Sequence, residues 1–220
     1  MNLLEILKEL LKPYPSSIES SFSNTYNPDP RTEIASKRVK AKNEFYKGRH
    51  IIGHDKRIND GVYVGAESRE AIVVDATDYY CQEKIEKAIY EYQKSKNAIG
   101  TVYRIVKETF IPDENKITKL IKGYEDKKIS LGYFIKKGVG VCRHNALLAG
   151  LLLEQMIDKN LISGKVSVDR NKLSGQGAHA WCRYTSLSGE VTIIDPTLNY
   201  CGPLTTTPWN YKRPEEMNQR

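Results

Sequence analysis

The 220-residue chain is expected to fold as an α+β protein, helices first and an antiparallel sheet after them. Three observations carry that expectation. From Asp78 to Ile157 apolar residues recur at helical spacing, and from Lys165 onward the period shortens to two, the pattern of half-buried strands. The last part of the first region, Gly138 to Ile157, is apolar on nearly every side, and a helix of that kind is a buried one. Helices followed by strands, rather than alternating with them, define the class.

Composition bounds the rest. The length suits one domain, or one domain with an appendage. A hydrophobic content of 40% and a charged content of 28% are ordinary for a globular chain. The net charge of +7 is spread among acids with no block of like charges, which disfavours nucleic acid as the partner. Cys81, Cys142, Cys182 and Cys201 form no Cys-x-x-Cys pair and read as free thiols of a reducing compartment. No apolar run approaches the ~18 residues of a membrane span, and the start lacks the pattern of a secretory signal. A cytoplasmic protein and one exported by a signal-peptide-independent route both fit.

Asn2 to Lys12 reads as a short amphipathic helix ended by Pro13. It is too short to stand alone, so it must dock on the body or on a partner. Tyr14 to Arg31, rich in Ser, Asn and Pro, reads as an extended connector. Residues 1–31 are thus an appendage to a domain over 32–220. Thr32 to Tyr46 is basic and reads as a helix ending at Gly48. His50 and His54 have the spacing of a helical metal pair, but Gly48 and Gly53 break the helix and no third ligand is evident. No metal or other cofactor is expected. Val62–Val64 and Ala71–Val74 flank a Glu-Ser-Arg-Glu turn and read as a β-hairpin.

Asp78 to Asn97 is a helix, with Ile85, Ala88, Ile89 and Tyr92 on one side. Thr101 to Phe110 continues in helical register up to Pro112, and Ile117, Leu120 and Ile121 mark a short helix in a charged stretch. Tyr124, Tyr133 and Phe134 precede the central helix, as packing or as the lining of a groove. Gly138 and Gly140 then break the chain, and Cys142 opens the buried helix. Cys142, Ala146, Ala149, Leu153 and Met156 share one face. Ala146, Ala149 and Gly150 keep its first turns slim enough for another element to come close.

After it, Lys165–Asp169 is a strand, Asn171–Gly177 a connector, Ala178–Thr185 a second strand, Leu187–Gly189 a turn and Glu190–Asp195 a third strand. The last twenty residues are expected to wrap the surface.

A thiol in the first turn of a helix feels orphan N–H groups and the positive end of the macrodipole. That field gives about 0.3–1 kcal/mol, up to about 2 in partly buried sites, against about 1.36 kcal/mol per pKa unit. From a free value near ~8.5 the thiol falls by about one unit, which leaves it mostly protonated at neutral pH. A nucleophile needs a base as well. Without one, Cys142 is an ordinary core thiol.

The hairpin supplies a candidate. A turn centred near Leu187 or Ser188 sets His179 opposite Asp195, where side chains on one face meet. The carboxylate would fix the imidazole, the base–orienter half of a triad. Alternation points His179 and Trp181 one way and Ala180 and Cys182 the other, so Cys182 is expected to be inert. His144 projects about 200° away from Cys142 around the helix and is a poor base.

Gly-Val-Cys-Arg-His-Asn-Ala-Leu-Leu at 140–148, His-Ala-Trp at 179–181 and Ile-Asp-Pro-Thr at 194–197 resemble the transglutaminase-like superfamily of cysteine enzymes. The Cys-Arg-His form is similar to domains attached to some plant protein kinases and to certain bacterial effectors. The match covers roughly residues 80–200, and residues 1–75 fall outside it. The resemblance implies a papain-like core, with a Cys-bearing helix packed on an antiparallel sheet carrying His and Asp. It implies Cys142 as nucleophile, His179 as base and Asp195 as orienter, with Trp181 a candidate substrate contact that could shield a thioester from water. It further implies a protein or peptide substrate, attacked at a glutamine side chain or peptide amide, by transglutaminase, deamidase or protease chemistry. For an effector-like protein the location would be a host cytosol. The alternative is the same fold kept as a catalytically silent interaction module. Target, acyl acceptor and oligomeric state have no signature in the sequence.

Overall fold

A computed structural model describes residues 45–65, 69–122, 128–175 and 177–217. The amino-terminal helix and connector read from the sequence, and Tyr124, lie outside the described residues.

The fold opens with β1 (Phe45–Tyr46) and β2 (Arg49–His50), an antiparallel pair joined through Lys47 and Gly48. Phe45–Tyr46 was expected to close a helix. Both turn residues have positive φ, which ends any helix there and suits a two-residue hairpin. Then come β3 (Val62–Val64) and β4 (Ala71–Val73), the expected hairpin, with Val62 opposite Val73. Helix α1 (Tyr79–Ser95) starts at Asp78, whose carboxylate accepts from the Tyr80 N–H at 3.0 Å. It ends on Lys96 in the left-handed conformation. Helix α2 (Ala98–Thr109) is capped by Asn97 and α3 (Glu114–Ile121) by Asp113, with β5 (Ile111–Pro112) between them. Side-chain caps of this kind satisfy N–H groups that have no partner within the helix.

Strand β6 (Lys128–Ser130) pairs parallel with β4, completing a three-stranded sheet β3-β4-β6 ahead of the main one. A three-residue strand in a charged stretch carries no readable period, so this parallel pair had no signal in the sequence. Helix α4 (Leu131–Lys137) and β7 (Val139–Gly140), parallel to β5, lead to α5 (Cys142–Asp158).

Four antiparallel strands follow: β8 (Lys165–Leu173), β9 (Gly177–Thr185), β10 (Val191–Asp195) and β11 (Tyr200–Pro203), in spatial order β11-β10-β9-β8. The expected connector at 171–177 is mostly strand, because Asn171, Lys172 and Leu173 pair with His179, Ala178 and Gly177. A one-turn helix α6 (Pro214–Met217) closes the described chain. The architecture is α+β.

Helix α5 is the axis of the core, with α1, α2 and α4 on one side and β8, β9 and β10 on the other. Leu147, Leu148, Leu151, Leu152 and Leu153 are all within 1% of complete burial, each stabilising by about 1.5–3 kcal/mol. Its slim side is filled by the segment before residue 76. A Cβ on Gly150 would lie 2.4 Å from Ile58 Cδ1 and 3.3 Å from Val168 Cγ2, so glycine is what lets Ile58 seat against the helix. The Glu154 carboxylate fastens that loop by accepting the N–H groups of Ile58 at 2.9 Å and Asn59 at 2.7 Å. Residues 45–75, outside the family motifs, are therefore part of the same core. No helix among the described residues is long and apolar enough to cross a membrane.

Candidate active site

Cys142 is the first residue of α5 and is half-buried. The residue before it, Val141, has no side-chain acceptor for the helix start. His144 compensates in reverse, its Nδ1 accepting the Val141 N–H at 3.1 Å. The first intrahelical bonds run from His144 and Asn145 N–H to the Val141 carbonyl. The N–H groups of Cys142 and Arg143 precede them and lie at the positive end of the helix.

The sulfur meets the second motif. The His179 side chain and the Ala180 N–H of β9 lie near the Cys142 thiol and act on it as donors. Burial pushes its pKa up, but these two donors and the charges of His179 and Arg143 outweigh burial, and the net direction is down. His179 moves the opposite way. Burial disfavours its charge, yet Asp195 and then Cys142 raise it to about 9. A thiol lowered and an imidazole raised by each other favour the thiolate–imidazolium pair.

The third motif holds the imidazole. His179 Nε2 lies 2.6 Å from Asp195 Oδ2, which leaves Nδ1 as the ring nitrogen toward sulfur. The pair is not directly opposite, as expected from the turn. Ile194 is level with Cys182, so the next residue, Asp195, is level with Trp181 and diagonal to His179. The offset of two preserves the face, and a diagonal neighbour remains within reach of a ring side chain. Asp195 also caps the short turn Pro196–Leu198, its Oδ1 accepting the Leu198 N–H at 3.3 Å. Asn145 Nδ2 donates to Thr197 Oγ1 at 2.9 Å, tying the helix start to the loop after Asp195.

The remaining candidates fall as follows. Cys182 is fully buried in the main core with Ala180, on the α5 side of the sheet, and burial pushes its pKa well up. Trp181 lies on the other side in a separate cluster with Ile193, Trp209 and Tyr211. Only 2% of it is exposed, and its ring stacks toward His179 at 6.2 Å, so its contact is with the imidazole from the interior. His50 Nε2 lies 2.6 Å from the Arg57 carbonyl and His54 Nε2 3.8 Å from Asp169. Among the described residues no group of three His, Cys, Asp or Glu side chains could hold a metal. Phe134 is fully buried, its ring 4.2 Å from that of His144, while Tyr133 is exposed.

Three residues at the site had not been singled out. Glu70, read as part of a turn, is fully buried and accepts from Arg143 Nε at 2.9 Å and Nη2 at 2.6 Å. Its Oε1 also lies 3.5 Å from His144 Nε2. Trp209 and Tyr211, read as surface wrapping, cover the outer face of the sheet. Trp209 packs 5.0 Å from the His179 ring, and Tyr211 Oη donates to Asp195 Oδ2 at 2.8 Å. Their only sequence signal was two large aromatics in a proline- and threonine-rich tail.

Compared with models of known protein families, with curated proteins and with solved structures, the chain has no match.

Proposed function

We propose that the protein is a cysteine acyl-transfer or amide-hydrolase enzyme of papain-like, transglutaminase-like architecture, acting on protein substrates through a thioester. One observation carries the reading: the Cys142 thiol is lowered and the His179 imidazole raised each in part by the other, and that imidazole is held at 2.6 Å by the buried Asp195 carboxylate. The three motifs that resemble the superfamily contribute those three side chains.

The chemistry follows from the arrangement. The Cys142 thiolate attacks the carbonyl carbon of a glutamine side chain or a peptide bond. The developing oxyanion is received by the Cys142 backbone N–H at the helix start. His179 Nδ1–H protonates the leaving ammonia or amine, the C–N bond breaks, and a thioester remains. An amine or a water then attacks the thioester, giving its proton to His179 and expelling the thiolate. Asp195 stays ionised and steadies the imidazolium. Arg143 and His144, which are engaged with Glu70, transfer no proton in this cycle, and Arg143 contributes only its charge near the thiolate.

The test needs no known target. Iodoacetamide at neutral pH is expected to alkylate Cys142 ahead of Cys81, Cys182 and Cys201, and Cys142→Ala to abolish the fast labelling. Equal labelling of the variant would remove the case for an activated Cys142. Mass spectrometry of a peptide mixture incubated with the enzyme then separates deamidation, cross-linking and cleavage. A fast-labelling thiol with no change in any peptide would point to the silent module.

A further inference from the structure

We infer that Tyr211 is a positioning residue of the Cys142–His179–Asp195 line, acting on the Asp195 carboxylate from the carboxy-terminal strap that covers it. The inference rests on the function proposed above and adds a fourth side chain to its site.

Asp195 Oδ2 receives two donors, His179 Nε2 at 2.6 Å and Tyr211 Oη at 2.8 Å. The phenol thus shares the oxygen on which the imidazole depends. Tyr211 is fully buried. Its ring meets Trp181 edge-on at 5.2 Å and stacks on Tyr200 at 5.3 Å with 15° between planes, so the hydroxyl has a fixed direction. Burial and the nearby Asp195 charge raise its pKa, and it serves as a neutral donor.

The strap is anchored independently at several points. Tyr211 N–H donates to the Thr205 carbonyl at 3.1 Å. Trp209 Nε1 donates to Asn171 Oδ1 at 2.6 Å, and Asn171 Nδ2 returns a bond to the Asn210 carbonyl at 2.8 Å. Asn171 is the residue paired with His179 across β8 and β9, so the strand pair that carries the base also carries the strap. Arg213 grips Asp169 through Nε at 2.7 Å and Nη2 at 2.8 Å, a two-pronged charge-assisted contact. The groups facing His179 are Cys142 from α5, Asp195 from β10, Trp181 from its own strand and Trp209 from the strap.

A hydrogen bond donated to a carboxylate spreads its charge and weakens its pull on a neighbouring cation. Removing the phenol therefore raises the His179 titration midpoint, and strengthening the phenol as a donor lowers it. The experiment is an NMR titration of the His179 ring in the full-length protein, in Tyr211→Phe and in a protein with 3-fluorotyrosine placed at 211. An upward shift of about half a unit or more in Y211F, with a downward shift for fluorotyrosine, is expected. Opposite signs exclude mere structural damage, and fluorotyrosine keeps the shape should Y211F not fold. No shift in either protein, or shifts of one sign in both, would overturn the assignment. Iodoacetamide labelling is run alongside. Failure of wild-type Cys142 to label first sinks the proposed function, whereas rapid labelling without the paired shifts sinks only the role of Tyr211.

Discussion

Two histidines flank the start of α5, and each faces a buried carboxylate, yet they are driven to opposite charge states. His179, beside Asp195, is raised to about 9, and His144, beside Glu70, is lowered to about 4. The carboxylates' other partners make the difference. Asp195 is met by a neutral phenol and a backbone N–H, so its charge is left for the imidazole, and Cys142 adds to it. Glu70 is already neutralised by Arg143 and keeps its negative charge down to about 2; burial opposes that charge, and His144 and Arg143 support it. For His144 burial dominates, and Arg143 opposes a second positive charge. Its Nδ1 must also stay unprotonated to accept the Val141 N–H. One histidine is held toward its charged form by a carboxylate and a thiol, and the other serves as a helix cap.

The largest effect should come from breaking the quiet side. Glu70→Ala leaves the Arg143 guanidinium buried without its counter-charge, and removing one member of such a pair costs about 3–5 kcal/mol. Urea unfolding measures it, and a loss below about 1 kcal/mol would mean that Arg143 finds water instead.

Acid should weaken the fold next. A folded-state pKa below the unfolded one gives stability that is present above the unfolded value and lost as pH falls through the folded one. For His144 the window runs from the ordinary 6.5 down to about 4, and for Glu70 from 4.5 down to about 2. A loss on the order of 3 kcal/mol is expected across the first window, and His144→Gln should flatten it. A midpoint of unfolding that stays level between pH 7 and 4 would contradict the cap assignment.

Asp195→Asn acts on the other histidine. Its titration midpoint should fall from about 9 toward the ordinary 6.5, worth about 3 kcal/mol or somewhat less of imidazolium stabilisation. Because the folded pKa is the higher one, the stability it contributes is present below 6.5 and disappears as pH rises through 9. An unchanged midpoint in Asp195→Asn would give the upward shift to Cys142 alone.

Surface pairs set the lower end of the scale. Glu108 meets Arg104 at 2.9 Å and Lys87 at 3.2 Å on exposed faces of α1 and α2. Glu108→Ala should change stability by no more than about 0.5 kcal/mol.

The same contrast explains what the sequence could and could not disclose. Helix α5 was legible because five leucines and small residues at 3.6-residue spacing leave no other way to hide that surface. The faces of β9 and β10 were legible because alternation fixes them, and for that reason a shift of two in register left His179 and Asp195 together. Glu70 and Tyr211 were not legible. Each acts on a partner at least 16 positions away, from a turn and from a tail with no periodicity to mark a buried side. Ile58 was hidden in the same way. Gly150 announced a close approach without naming what approaches.

Sulfur, imidazole and carboxylate should act as one line, and the pH dependence of Cys142 alkylation tests that line most directly. A reactive thiolate should persist through neutral pH, with a further rise only near 9 as His179 gives up its proton. In His179→Ala the neutral-pH reactivity should collapse. A single rise near the ordinary thiol value, the same in wild type and His179→Ala, would contradict it.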